Sequence, residues 1–168
     1  MKKLVALALL IALTAAIPTN AQMKAGSMRP ALELNFGGLG LGYGASFEYG
    51  ITDKISARAS ANISSYKTGG DEWSLIPIDA VGIYNVDDQK YAMLGITWTT
   101  FSVDPSSGKK ESASSFGVVA GGGYRYKIND KISVNGEGKY RVITLESGAY
   151  KLSVAWYTVG AGFSYALN

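Results

Sequence analysis

The most regular feature of the chain is alternation. From residue 132 onward Ile132, Val134, Gly136, Gly138, Tyr140 and Val142 are apolar or small, while Ser133, Asn135, Glu137, Lys139 and Arg141 between them are polar or charged. A period of two over that length predicts a β-strand with one apolar and one ionic face. The same division recurs along the chain. Leu32, Leu34 and Phe36 alternate with Glu33 and Asn35; Leu39, Leu41, Tyr43, Ala45, Phe47 and Tyr49 stand opposite glycines, Ser46 and Glu48; Ile55, Ala57, Ala59, Ala61 and Ile63 oppose Ser56, Arg58, Ser60, Asn62 and Ser64. Further strands are predicted over residues 74–84, 91–99 and 116–126, and an eighth runs to residue 167. A single strand over residues 31–49 competes with the first two. Val81 and Ile83 blur the fourth strand, and Pro77 points to a bulge there. A change of apolar phase at Trp156 and Tyr157 points to another.

The connections fall into two kinds. YKINDKIS at residues 126–133 repeats YGITDKIS at 49–56, and YNVDDQKY at 84–91 is a looser third copy. Each reads as a tight turn, so the repeating unit is a hairpin. Gly37-Gly38 permits a further sharp reversal, and polar loops are predicted at residues 67–72, 104–114 and 145–150. The fold class is therefore all-β: eight antiparallel strands in up-and-down order. Before them, Lys2 and Lys3 precede an apolar run at residues 4–17 and small residues up to Ala21. That order predicts a secretory signal peptide over residues 1–21, since the run is shorter than the roughly 20 residues a membrane helix needs. Residues 22–168 then make one domain.

Alternation does not say which face is inside. Ala57, Ala59, Ala61, Gly136 and Gly138 would leave the centre of a soluble barrel hollow, whereas acyl chains conform to such a surface. Phe47, Tyr49, Tyr84, Tyr124, Tyr126, Phe163 and Tyr165 end the strands that run toward one rim, a ring suited to the headgroup level of a bilayer. Phe36, Trp98, Phe116 and Tyr140 supply a second ring. The apolar face is thus assigned to lipid, and because lipid satisfies no free strand edge, the sheet must close. Inside would lie Glu33, Glu48, Arg58, Asp79, Arg125, Glu137, Lys139 and Arg141, which must pair with one another to be tolerated there. The competing readings are a secreted, lipocalin-like soluble barrel carrying a small apolar ligand, and a narrow passive channel.

With its leader, its YxIxDKIS turns at residues 49–56 and 126–133 and its aromatic final strand, the chain over residues 30–167 resembles the small outer-membrane β-barrel family typified by OmpX and the membrane domain of OmpA. The resemblance implies a transmembrane barrel, integral to the outer membrane of a Gram-negative bacterium and monomeric, with lipid as its main partner. It also implies a structural or surface-interaction role, any surface ligand meeting the loops at residues 67–72, 104–114 and 145–150.

Composition narrows the chemistry. The chain has 16 Lys and Arg against 13 Asp and Glu, and two of the cations are Lys2 and Lys3. The remainder is nearly neutral, with no broad basic field to gather nucleic acid. Without cysteine there is no disulfide, thiolate metal site or acylation site. Without histidine there is no Ser–His–Asp triad, histidine base or histidine metal ligand. The glycines at residues 37–44 miss the dinucleotide-binding spacing. No catalytic residue, metal ligand or cofactor is assigned, and the protein is not expected to be an enzyme.

Overall fold

A computed structural model describes residues 24–38, 40–106, 108–147 and 150–167; the expected signal peptide at residues 1–21 lies outside them. Eight strands follow one another: β1 (Met28–Gly37), β2 (Gly40–Gly50), β3 (Ile55–Thr68), β4 (Asp71–Asn85), β5 (Lys90–Asp104), β6 (Glu111–Lys127), β7 (Ile132–Ser147) and β8 (Tyr150–Tyr165). Every neighbour is antiparallel, and β8 returns to pair with β1, closing a barrel. The first two strands are separate, with their reversal between Gly37 and Gly40. No helix among the described residues is long and apolar enough to cross a membrane.

The two faces of the wall differ as lipid and ion pairs require. Leu32, Leu94 and Ile96 on the outside are 70, 69 and 57% exposed, whereas Glu48, Arg58 and Asp79 on the inside are 2, 5 and 1% exposed. A soluble carrier needs the reverse. Glycines on the inner face lie directly opposite the long inward side chains: Tyr91 faces Gly123, Asn62 faces Gly44 and Asn135 faces Gly162. A methyl group on Gly123 would sit 2.5 Å from the Tyr91 hydroxyl, so this position must stay bare for the ring to lie across it. Val81 and Ile83 also point inward, where they pack with Tyr91, Met93 and Val119.

At the rim away from the chain termini, β3 to β8 rise beyond the short β1–β2 hairpin as a collar. Here the polarity of the wall inverts. Leu75, Ile143 and Trp156 face inward with Trp73 and Phe101, whose rings are 5.5 Å apart, while Ser65, Thr100, Ser112, Ser114 and Thr144 face outward; Thr100 and Ser114 share a hydroxyl hydrogen bond of 2.8 Å.

This inversion corrects several sequence-based expectations. The polar stretch at 67–72 is not a loop: β3 and β4 continue through it and join at Gly69 and Gly70, whose φ values of 61° and 93° suit a two-residue hairpin. Lys67 and Glu72 face each other across that hairpin, Nζ to Oε2 3.0 Å. The expected loop at 104–114 shrinks to residues 105–110, because Asp104 ends β5 and Glu111 begins β6. Most of 145–150 is also strand, with Leu145 opposite Leu152 and Ser147 opposite Tyr150; residues 148 and 149 lie outside the described ones. Neither expected bulge exists. The β7–β8 register is constant past Arg141 and Trp156, so the phase change at Trp156 and Tyr157 records a change of surroundings and not an inserted residue. At Pro77, which has no N–H to donate, the ladder to β3 lapses and resumes in the same register, from Ala61 with Ile78 to Ser64 with Leu75.

At the other rim the three repeated turns share one hydrogen-bond pattern. Thr52 Oγ1, Asp87 Oδ1 and Asn129 Oδ1 each accept the backbone N–H groups two and three residues on, at 2.7–3.2 Å. Such side chains imitate a backbone turn, which is the physical content of the repeat. The N–H groups of Gln89 and Lys90, with the Lys90 ammonium, hold the Asp87 carboxyl below its ordinary range. A lowered value means that its contribution is complete at neutral pH and fades as pH falls through the folded-state value. Asp87→Ala is therefore expected to lower the urea midpoint of the folded barrel at pH 7, with the gap to the parent closing in acid.

Candidate functional site

The candidate site is the barrel interior, and the pleat builds it. Alternate positions of all eight strands aim at one axis, so residues distant in sequence meet. Among the described residues the buried charges are Arg29, Glu33, Glu48, Arg58, Asp79, Arg125, Glu137, Lys139 and Arg141.

Six of the residues named from sequence form one chain of ion pairs nearer the turn rim. Glu48 accepts from Ser56 Oγ at 2.7 Å, from Arg58 Nη2 at 2.8 Å and from Arg125 Nη2 at 2.7 Å. Arg58 Nη1 reaches across to Glu137 Oε2 at 2.6 Å, where the Tyr91 hydroxyl also donates at 2.8 Å. Lys139 Nζ lies 2.6 Å from Glu137 Oε1 and 3.3 Å from Glu33 Oε2. The Arg58 and Arg125 guanidinium carbons lie 5.4 and 4.9 Å from the centroid of the Tyr91 ring. A ring face attracts such groups.

The other two stand apart, higher in the barrel. Arg141 grips Asp79 with both ends of its fork, Nε to Oδ1 at 3.1 Å and Nη2 to Oδ2 at 2.6 Å, and its Nη1 donates to Thr158. The planar fork matches a carboxylate in a way a lysine would not. Above them Asn35 donates to Asn62 at 2.6 Å. Among the described residues, one interior cavity of about 20 Å3 lies under Trp156 and one of about 10 Å3 beside Arg29, and each holds no more than about one water.

The outward aromatics named from sequence lie at the rim that carries the three turns. Phe47, Tyr49, Tyr84, Phe163 and Tyr165 are exposed on the outer wall; Tyr124 and Tyr126 are half-buried, the Tyr124 hydroxyl donating to Gln89 Oε1. On the far side Trp98 and Phe116 meet edge to face, with centroids 4.2 Å apart.

Sequence reasoning missed Arg29. Pro30 looks like the start of the first strand, but β1 begins at Met28, and Arg29 shares the inward parity of Glu33 and Asn35.

A closed antiparallel wall with an apolar skin and an ionic interior defines a transmembrane β-barrel. The chain belongs to the outer membrane protein beta-barrel domain family, whose model matches residues 5–166, and it is an integral protein of the bacterial outer membrane. The fold is similar to that of Neisserial surface protein A (TM-score 0.67, 18% identity, covering 83% of this chain and 95% of that one). It is also similar to the N-terminal barrel of Pseudomonas aeruginosa OprF (0.60, 14%, 86% and 100%) and to Yersinia pestis Ail, the attachment invasion locus protein (0.51, 13%, 84% and 99%). No curated protein matches the sequence.

Proposed function

We propose that this barrel is a sealed, non-enzymatic element of the outer membrane, exported by the signal peptide at residues 1–21 and serving a structural and surface-interaction role. The observation that carries this reading is the pair of ion-pair clusters filling the interior, with the cavities under Trp156 and beside Arg29 each no larger than about one water. An eight-stranded barrel encloses only enough room for its own side chains. In planar bilayers the folded chain is expected to give no steady current; stable ohmic steps would return the narrow channel to first place.

The working surface in this reading is the collar, with its hydroxyl-rich outer wall and the connection at residues 105–110. It takes over from the three broader loops as the place where a ligand would dock. A protein of the same fold, Ail, has been solved with the heparin analogue sucrose octasulfate, which supports ligand binding by a barrel of this size. The orientation is testable. A membrane-impermeant amine reagent applied to intact cells is expected to label Lys109 and Lys110 and to spare Lys54 and Lys131. Labelling of the second pair alone would invert the barrel.

A further inference from the structure

The outer wall carries a hollow that the ionic interior does not explain. Ala57, Ala59, Ala80 and Gly82 on β3 and β4 form the floor of an apolar groove of about 440 Å3, open on the lipid side, with Phe47 of β2 along one edge. Arg58 and Val81 complete its lining from positions whose buried side chains turn inward, and the Arg58 guanidinium is engaged there by Glu48 and Glu137. Leu94 and Ile96 of β5, opposite Gly82 and Ala80, stand along the other edge. Alanine and glycine are poor strand formers, and the wall does not demand them here. A methyl group on Gly82 would meet nothing nearer than the Leu94 carbonyl oxygen at 3.8 Å, so the bare floor answers to something outside the protein.

At the turn rim the groove ends on Ile55 and Tyr84, the first pair above the turn at residues 51–54. The three repeated turns each carry a lysine. Lys90 is paired with Asp87 at 3.1 Å, and Lys131 lies 5.9 Å from the centroid of the Tyr165 ring. Lys54 is exposed and, among the described residues, has neither kind of partner, while Asp53 beside it accepts the Ala25 N–H at 3.3 Å.

We propose that the groove holds one acyl chain of an acidic glycerophospholipid from the turn-rim leaflet, with the lipid's phosphate on the Lys54 ammonium. A chain hanging from headgroup level to the midplane covers about 15 Å, half of the hydrocarbon core. The groove takes the same course, from the interfacial Tyr84 to Ala59 near the centre of the apolar band, and a lysine at the headgroup level favours acidic lipid. A second copy of the chain suits the face less well, because a two-fold contact would set one hollow against another. The site rests on the membrane placement of the barrel and not on the surface role proposed above.

The test offers the full folded barrel, in mild detergent, an equimolar mixture of phosphatidylglycerol and phosphatidylcholine and reads the retained lipid by native mass spectrometry. The parent is expected to keep one phosphatidylglycerol, about fivefold in preference to phosphatidylcholine. Ala59→Leu combined with Gly82→Leu, which fills the groove with hydrocarbon, should lose that lipid, whereas Ala161→Leu, at an exposed outward position on β8, should keep it. Lys54→Gln should abolish the headgroup preference, and it decides the point should the groove-filled variant fail to assemble. Retention by the groove-filled variant, equal loss in Ala161→Leu, or an unchanged preference in Lys54→Gln would overturn the proposal. So would a dimer of the parent that filling the groove abolishes, which would give the face to a second copy.

Discussion

Glu48→Gln is expected to destabilise the folded barrel by about 3–5 kcal/mol, the usual effect of removing one partner from a buried ion pair. The substitution keeps the shape and removes the charge, so Arg58 and Arg125 lose their shared carboxylate while Arg29, already without an acceptor, stays beside them. Urea unfolding in lipid vesicles measures the loss. The double variant Glu48→Gln with Arg125→Met should recover part of it, because one stranded cation has gone, and the non-additivity gives the coupling directly. An unchanged midpoint for Glu48→Gln would show that the interior does not rely on these pairs.

Ala59→Arg tests the other face. Ala59 projects outward near the centre of the apolar band, between Phe47 on β2 and Ala80 on β4, in a shallow outer groove that also includes Ala57 and Gly82. A guanidinium at the bilayer midplane costs a transmembrane barrel about 2–4 kcal/mol. Ala59→Leu should assemble as the parent does, whereas Ala59→Arg should lose most of the heat-modifiable, compact form on gels after folding into vesicles. Equal assembly of the two variants would remove lipid from this face.

Much of this architecture was readable before any coordinates. Strand number, face assignment and the shared turn follow from local regularities, because within the membrane-facing band each residue meets one of only two environments, lipid or ion pair. Legibility failed where a third environment begins. In the collar, water replaces lipid outside and the inside turns apolar, so Trp73, Leu75, Phe101 and Trp156 obey the pleat but break the rule that apolar means outward. In sequence, strand continuity through residues 67–72 and 145–147 therefore carries the signature of a loop, and the unbroken register at Trp156 that of a bulge. Val81 and Ile83 misled for a related reason: ion pairs do not fill a lumen alone, and the gaps around Tyr91 take hydrocarbon. The pairing of the interior charges was not legible at all. Arg58 with Glu137 and Arg141 with Asp79 lie 79 and 62 residues apart, and only ring closure brings them together.

The join between β1 and β8 has a consequence for how the ring opens. Its continuous ladder runs only from Ala31 to Gly37 against Thr158 to Ser164, and beyond a gap at Arg29 and Pro30 a lone bridge ties Met28 to Leu167. Proline brings no N–H to that gap, and among the described residues no other neighbouring pair of strands is so lightly stitched. Unzipping the cylinder into a curled ribbon therefore breaks the fewest backbone bonds at this one place, which makes this seam the expected first edge to part when the wall comes undone.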